Sequence, residues 1–223
     1  MTAAASTKPA ERNRREQIVR AAASVLGRQG YTDTSLKQIA AEAGVAPGLL
    51  HYYFDSKEEL LVDVVSGLER EISADWQGAV RDLEDPLERI VAALDSVAQR
   101  CATQPEFFRL LFDLYMLGLS NPAIRDRCRE LWGRFVDDIE GEVRQVLGRL
   151  PSYSVVPPRD LAEAIGSAVD GIALSSIVQN QDPLPQYHAL KVLLLSVVVT
   201  AYVQAGQTPP VDRLRALLTA SHS

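Results

Sequence analysis

The spacing around Gly44 constrains this chain more than any other feature. Leu36, Ile39, Ala40 and Ala43 recur at i, i+3, i+4 and i+7, which draws one narrow apolar face on a short helix. Ala40 is small where a neighbouring helix would have to approach closely. Gly44 stands where that helix ends and the chain turns sharply, a position that favours the left-handed backbone only glycine adopts freely. Val45 returns to the core. Pro47 falls in the first turn of the next helix, where its missing N–H costs nothing, and Leu50 and Phe54 continue the buried stripe. A small residue, a glycine and an apolar residue at this spacing read as a helix-turn-helix over residues 34–57.

The residues left facing outward on the second of these helices are Ala46, Pro47, Gly48, Leu49, His51, Tyr52 and Tyr53. A face meant only for water would be rich in Glu and Lys; this one has no acid and runs from small to aromatic. Small residues let a helix enter the major groove and let backbone N–H groups approach phosphates. His51 and the tyrosines can donate to phosphate oxygens beyond. Thr34 or Ser35 caps the preceding helix, and either hydroxyl can also reach a phosphate. Lys37 lies one turn in on the exposed side, and Lys57 follows an Asp55-Ser56 cap as a cation placed toward DNA. Arg12, Arg14 and Arg15 precede the first core face and are within reach of a nucleic-acid backbone. Taken singly, each has a plainer reading: the hydroxyls as caps, the tyrosines as packing beneath the first helix, the basic run as a solvated tail. Their coincidence around one turn favours double-stranded DNA as the partner.

The formal net charge of −6 argues against such a partner until its distribution is considered. Residues 1–54 hold seven Lys/Arg against four Asp/Glu, while the remainder holds sixteen against twenty-five. A basic head on an acidic body suits a protein that points one end at DNA.

The series Gly30-Tyr31, Thr34-Ser35-Leu36, Ile39-Ala40, Ala43-Gly44-Val45, Gly48 to Phe54 and Ser56 to Leu60 resembles the N-terminal domain of the TetR/AcrR family over about residues 12–62. Family members usually carry Thr where Leu49 stands, and Tyr and His where His51 and Tyr53 stand. The resemblance therefore carries over the binding mode and not the bases read. It implies a homodimer, a palindromic operator, and repression relieved by a small-molecule effector. An activator, or a helical interaction protein using the same motif, is the alternative.

Beyond the motif nearly every segment keeps the 3.6-residue period, so the fold class is all-α. Breaks rich in Gly, Pro and capping residues divide the chain into helices near 11–29, 35–42, 46–52, 57–80, 86–103, 105–118, 123–149, 159–180, 186–205 and 210–220. The expected organisation is a flexible tail over 1–10, a DNA-binding domain over 11–56, and a helical ligand-binding and dimerisation domain over 57–223. Cys101 and Cys128 both sit in helical patterns and read as buried thiols. The charged N-terminus lacks a following apolar segment, and the run from Val192 to Tyr202 is far short of the ~20 residues a membrane span needs. A cytoplasmic protein without membrane association is expected. No nucleophile–base pair, phosphate loop or ligand-spaced Cys/His set is legible, so no catalytic residue, metal or cofactor is assigned.

Two apolar stripes in the body suggest a dimer face: Ile165, Val169 and Ile172 on one helix, and Leu190, Leu194, Val197, Val198 and Ala201 on the next. Both stripes can equally belong to the subunit core. The aromatic-rich stretch offers an effector pocket of Phe107, Phe108, Phe112, Tyr115, Met116, Trp132 and Phe135, with Asp170 as a polar residue able to orient a ligand or pair across the dimer.

Overall fold

The computed structural model describes residues 4–148 and 156–219, with side chains from residue 11 onward. Among these residues the chain is all-helical: α1 (Ala4–Gln29), α2 (Leu36–Glu42), α3 (Pro47–Tyr53), α4 (Lys57–Val80), α5 (Pro86–Thr103), α6 (Pro105–Ser120), α7 (Pro122–Leu147), α8 (Pro158–Gln179), α9 (Leu184–Gln204) and α10 (Val211–Thr219). The expected helices recur within a few residues at their ends, except that α1 starts at Ala4, inside the stretch expected to be a flexible tail. Residues 1–3 of that tail, residues 151–155 of the proline-rich break, and the last residues of the helices expected to end at 149 and 220 lie outside the described residues.

The helix ends follow from local chemistry. Ser35, and not Thr34, caps α2: its hydroxyl accepts from the Gln38 N–H while the Gln38 side chain accepts from the Ser35 N–H, a reciprocal capping box. Gly44 takes φ +63, and the Val45 N–H then reaches back to the Ala40 carbonyl, which closes the end of α2. Asp85 caps α5 by accepting from the N–H groups of Leu87 and Glu88, and Asn180 ends α8 in the left-handed region.

The helices gather into two compact units that are not contiguous in sequence. Residues 1–71 group with 106–131, and residues 72–105 with 132–223. The sequence boundary expected at residue 56 therefore differs from the spatial one, because α6 and the first part of α7 are grouped with the N-terminal helices. Within the first unit α1 packs on α2, and α2 on α3. Ile18, Leu26, Ile39, Leu50, Phe54, Leu60 and Leu61 are each under 2% exposed or at that limit, and burial of one such side chain contributes about 1.5–3 kcal/mol. Cys128 lies in this unit and Cys101 in the other, both as free, buried thiols.

In the second unit α5, α8 and α10 pack against α9. One cluster joins Val136, Ile139, Val143, Ala162, Ile165 and Ala201; another joins Leu87, Val91, Val146, Leu195 and Val198. The Arg89 guanidinium grips both oxygens of buried Glu142 and donates to the carbonyls of Val80 and Leu83, fastening the α4–α5 turn.

The stripes expected to form the dimer face need correction. Ile165, Val169, Leu190, Val198 and Ala201 are buried in the unit's own core, and Leu194 packs against it. Ile172 and Val197 are half-buried. Besides the polar Asp160, Glu163 and Gln179, α8 leaves Ala164, Ser167, Gly171, Leu174 and Val178 exposed; between its ends α9 leaves Ala189, Val192, Leu193, Ser196, Thr200 and Val203 exposed. Both helices are apolar on two sides, so periodicity alone could not say which side turns inward. This also makes α8 and α9 long and apolar enough to cross a bilayer by length and composition, which the short run Val192–Tyr202 did not disclose; only 33% and 28% of those stretches are buried within the chain.

A Cβ added at Gly44 would meet nothing within 4 Å, so only the backbone conformation requires glycine there. Gly44→Ala should therefore lower the unfolding free energy by about 1–2 kcal/mol through the left-handed penalty alone. Urea denaturation measures this, and an unchanged midpoint would show that the turn tolerates a side chain.

Candidate nucleic-acid interface

The face that α3 presents outward is built by contacts on its other side. Leu50 is buried, and Phe54 ends the helix as a buried plug. The Arg15 guanidinium, reaching from α1, donates to the Tyr53 carbonyl (2.7 Å), to Asp63 (2.7 Å) and to Glu59 (3.1 Å), and it stacks 4.3 Å above the Phe54 ring. A carbonyl left open at the end of α3 is thereby satisfied by a cation, and α1, α3 and α4 are tied at one point. The Gln17 side chain donates to the Ala43 carbonyl at 2.6 Å, holding the turn from the α1 side.

With that side fixed, Ala46, Pro47, Gly48, Leu49, His51 and Tyr52 are all exposed, Tyr52 at 70%. Tyr53 is half-buried and meets the Tyr52 ring edge-on, with centroids 5.1 Å apart. A Cβ added at Gly48 would meet open space among the described residues. Ser35, Lys37 and Arg12 are also exposed, Arg12 in a solvent-facing pair with Glu16.

Three expected contact residues are committed elsewhere. Thr34 is 5% exposed, and its hydroxyl donates to the Gly30 carbonyl at 2.7 Å, inside the α1–α2 connection. The Lys57 ammonium donates to the carbonyls of Tyr31 (3.0 Å) and Thr34 (2.8 Å) and lies 3.9 Å over the Tyr31 ring. Partial burial pulls its pKa below the usual lysine range, with the Glu58 charge opposing. Arg15 is spent on the anchor described above. The pairings of Lys57 and Arg15 join residues 23 to 48 positions apart, a range at which local patterning carries no signal, whereas the Thr34 bond to Gly30 spans four. Gln17 was not anticipated for the same reason.

Two outcomes follow for this unit. Lys57→Ala should lower its stability by about 1–3 kcal/mol through the two carbonyls left unpaired and leave the salt dependence of DNA binding unchanged. A shallower salt dependence at unaltered stability would return Lys57 to the phosphate-contacting set. Glu59 is held below the usual carboxylate range first by the Asp55 N–H and then by Arg15. Its stabilisation is present above the ordinary Glu pKa and is lost as pH falls through its lowered one. The melting temperature of native protein should accordingly exceed that of Glu59→Gln at neutral pH and fall more steeply as pH drops over that window, the two converging at the acid end; identical pH profiles would remove the anchor's charge from the stability of the domain.

The aromatic residues expected to form one pocket fall in different units. Phe107, Phe108, Phe112, Tyr115 and Met116 belong to the first, where Phe107 and Phe108 are buried edge to face and Met116 is 65% exposed. Trp132, Phe135 and Asp170 belong to the second, where Trp132 and Phe135 pack together beside Gly166. Sequence proximity on α6 brought the first group together on paper, while the helices distribute them between two cores.

Comparison with known proteins agrees with this geometry. Residues 18–64 match the model of bacterial regulatory proteins of the tetR family, and residues 86–204 match the C-terminal domain of BetI-type transcriptional repressors. The HTH-type transcriptional regulator BetI of Brucella anthropi is 40% identical over 159 residues, covering 71% of this chain and 79% of that protein. Among solved structures, a TetR transcription regulator from Haloarcula marismortui superimposes with a TM-score of 0.70 at 19% identity, covering 87% of this chain and 97% of its own. A Saccharomonospora viridis protein assigned as a transcriptional regulator, in complex with choline, gives 0.72 at 18% identity, covering 81% and 94%. The structural likenesses are of fold; the family models and the BetI relative carry the assignment. The chain belongs to the TetR family and is a DNA-binding transcriptional regulator, not an enzyme.

Proposed function

We propose that the chain is a repressor that grips a two-fold-symmetric operator as a homodimer and lets go when a small molecule binds its second unit. The observation that carries this reading is the acid-free outward face of α3, braced from behind by Arg15 and Gln17. In this reading Ala46, Pro47, Gly48, Leu49, His51 and Tyr52 enter the major groove. Ser35, Lys37 and Arg12 supply the phosphate contacts, with Tyr53 at the margin. Thr34, Lys57 and Arg15 act by holding the loop and helices that carry those residues.

The exposed seams of α8 and α9 are the basis for the dimer. Ala164, Ser167, Gly171, Leu174 and Val178 recur at three- and four-residue spacing, as do Ala189, Val192, Ser196, Thr200 and Val203. Such spacing suits a four-helix contact between two copies. Gly171 supports it: a helical glycine costs about 1 kcal/mol relative to alanine, and nothing among the described residues lies within 4 Å of where its Cβ would be. A helix from a second copy, approaching closely, gives that glycine a reason. Regulators of this family act as dimers with small-molecule effectors, and the Saccharomonospora viridis neighbour in complex with choline supports a small-molecule effector here.

Leu193→Glu, at an α9 position 64% exposed in the single chain, should convert the dimer to a folded monomer by sedimentation analysis. Selection from a random duplex pool should return two-fold-symmetric sites for the native protein, and Leu49→Ala or His51→Ala should shift the preferred bases. Sites without symmetry, or a Leu193→Glu protein that stays dimeric, would contradict the proposed assembly.

A further inference from the structure

The core of the second unit is not filled throughout. Between α5, α7, α8 and α9 lies a cavity of about 40 Å³ whose lining, among the described residues, is Leu, Ile and Val alone. Leu87 and Ile90 of α5, Val143 of α7, Ile165 of α8, and Leu194 and Val198 of α9 form most of its walls. That is room for roughly three methylene-sized groups. Water gains little there, since it needs several polar partners and these side chains offer none. Walls without rings or charges also give an ion nothing to replace its hydration.

The cavity has a polar neighbour. Leu161 of α8 and Val197 of α9 line both the cavity and an open groove, whose other walls include Ser196, Thr200 and Gln204 of α9. These three polar residues recur every four positions, so they stand in one row along the helix. The Ser196 and Thr200 hydroxyls donate to the carbonyls of Val192 (2.8 Å) and Ser196 (2.9 Å), each one turn back. Their protons are thereby committed, and what they present is oxygen lone pairs. The Gln204 amide carries both a donor and an acceptor. Among the described residues no charged side chain lines either space. The groove thus offers acceptors to a hydroxyl or amide N–H, directly beside a space that takes only hydrocarbon.

We propose that this junction binds a neutral, unbranched amphiphile, with an alkyl chain of about four carbons in the cavity and a hydroxyl or amide head on Ser196, Thr200 and Gln204. This deepens the reading that a small molecule binds the second unit, and its regulatory meaning rests on that reading. Chain length sets the affinity: each methylene moved from water into the cavity strengthens binding about four-fold until the space is full. A charge on the head weakens binding, because nothing in the lining compensates for its lost hydration. Ser196 and Thr200 also stand on the seam proposed for the subunit contact, so the measurement uses the native assembly.

Methyl-resolved NMR of the full-length protein, titrated with 1-propanol, 1-butanol, 1-pentanol and 1-hexanol, reads the site without DNA. Shifts should centre on the methyls of Leu87, Ile90, Val143 and Val198, with affinity rising about four-fold from 1-propanol to 1-butanol and levelling off by 1-hexanol. Butyrate and butylammonium should bind about ten-fold or more weakly than 1-butanol. Val143→Leu, which extends one wall by a methylene, should weaken every alcohol without lowering the melting temperature. Thr200→Val leaves the cavity intact; it should weaken 1-butanol about five-fold, while xenon, which has no head group, binds as in native protein. Absence of alcohol-dependent shifts at those methyls, affinity independent of chain length, or native-like alcohol binding by Thr200→Val would overturn the assignment. Binding of xenon without alcohols would reduce the cavity to a packing void and overturn it equally. Binding of 1-butanol as stated, with operator affinity unaltered, would support the site and refute the effector role, so the two failures are distinguishable.

Discussion

The position of α3 depends on one guanidinium. Arg15 joins the carbonyl at the end of α3, two carboxylates of α4 and the face of Phe54, so three helices that meet nowhere in sequence are fixed at one point. The arrangement uses a charge where hydrophobic packing could not serve, because the end of α3 exposes a backbone acceptor that must find a donor. Around that anchor the remaining constraints are local: a capping box at Ser35, a left-handed glycine at 44, and a lysine that closes the α1–α2 connection over Tyr31. Together they leave the outer face of α3 with no structural duty among the described residues, which frees it for the base contacts proposed for it.

The second unit shows the complementary condition. Its own core is complete, with Val136, Ala162, Ala173 and Ala201 fully enclosed. Even so, α8 and α9 hold apolar side chains in solvent along a second, small-residue seam. Extended apolar surface of this kind marks an interaction site rather than a tolerated accident.

How much of this was legible in the sequence divides along the range of the interactions. The helix boundaries and the Gly44 turn follow from caps, prolines and period, all of which act within about four residues, and those agree with the structure closely. Whether Thr34 or Ser35 caps α2 was undecidable from composition, since both hydroxyls suit the role; the geometry gives Ser35 the cap and Thr34 an interior bond to Gly30. Arg15 and Lys57 looked like free cations because their partners lie more than twenty residues away. The α8 and α9 stripes are legible, but a helix apolar on two faces has no inward direction until its neighbours are known, and most of the stripe expected at the dimer face turns into the chain's own core. Asp170 is legible as a polar residue on an apolar helix; its burial depends on neighbouring helices that the pattern of one helix does not disclose.

The central claim is that the N-terminal unit binds the phosphate backbone with sequence-independent cationic contacts and reads bases with α3. Fluorescence anisotropy of the full-length protein on a random-sequence duplex, repeated across ionic strengths, addresses it most directly. Displacement of condensed counterions requires log affinity to fall linearly with log salt, with a slope set by the number of phosphates engaged. Such a linear fall is the predicted result. Affinity that is undetectable at low salt, or that does not change as salt rises, would contradict DNA binding by this face.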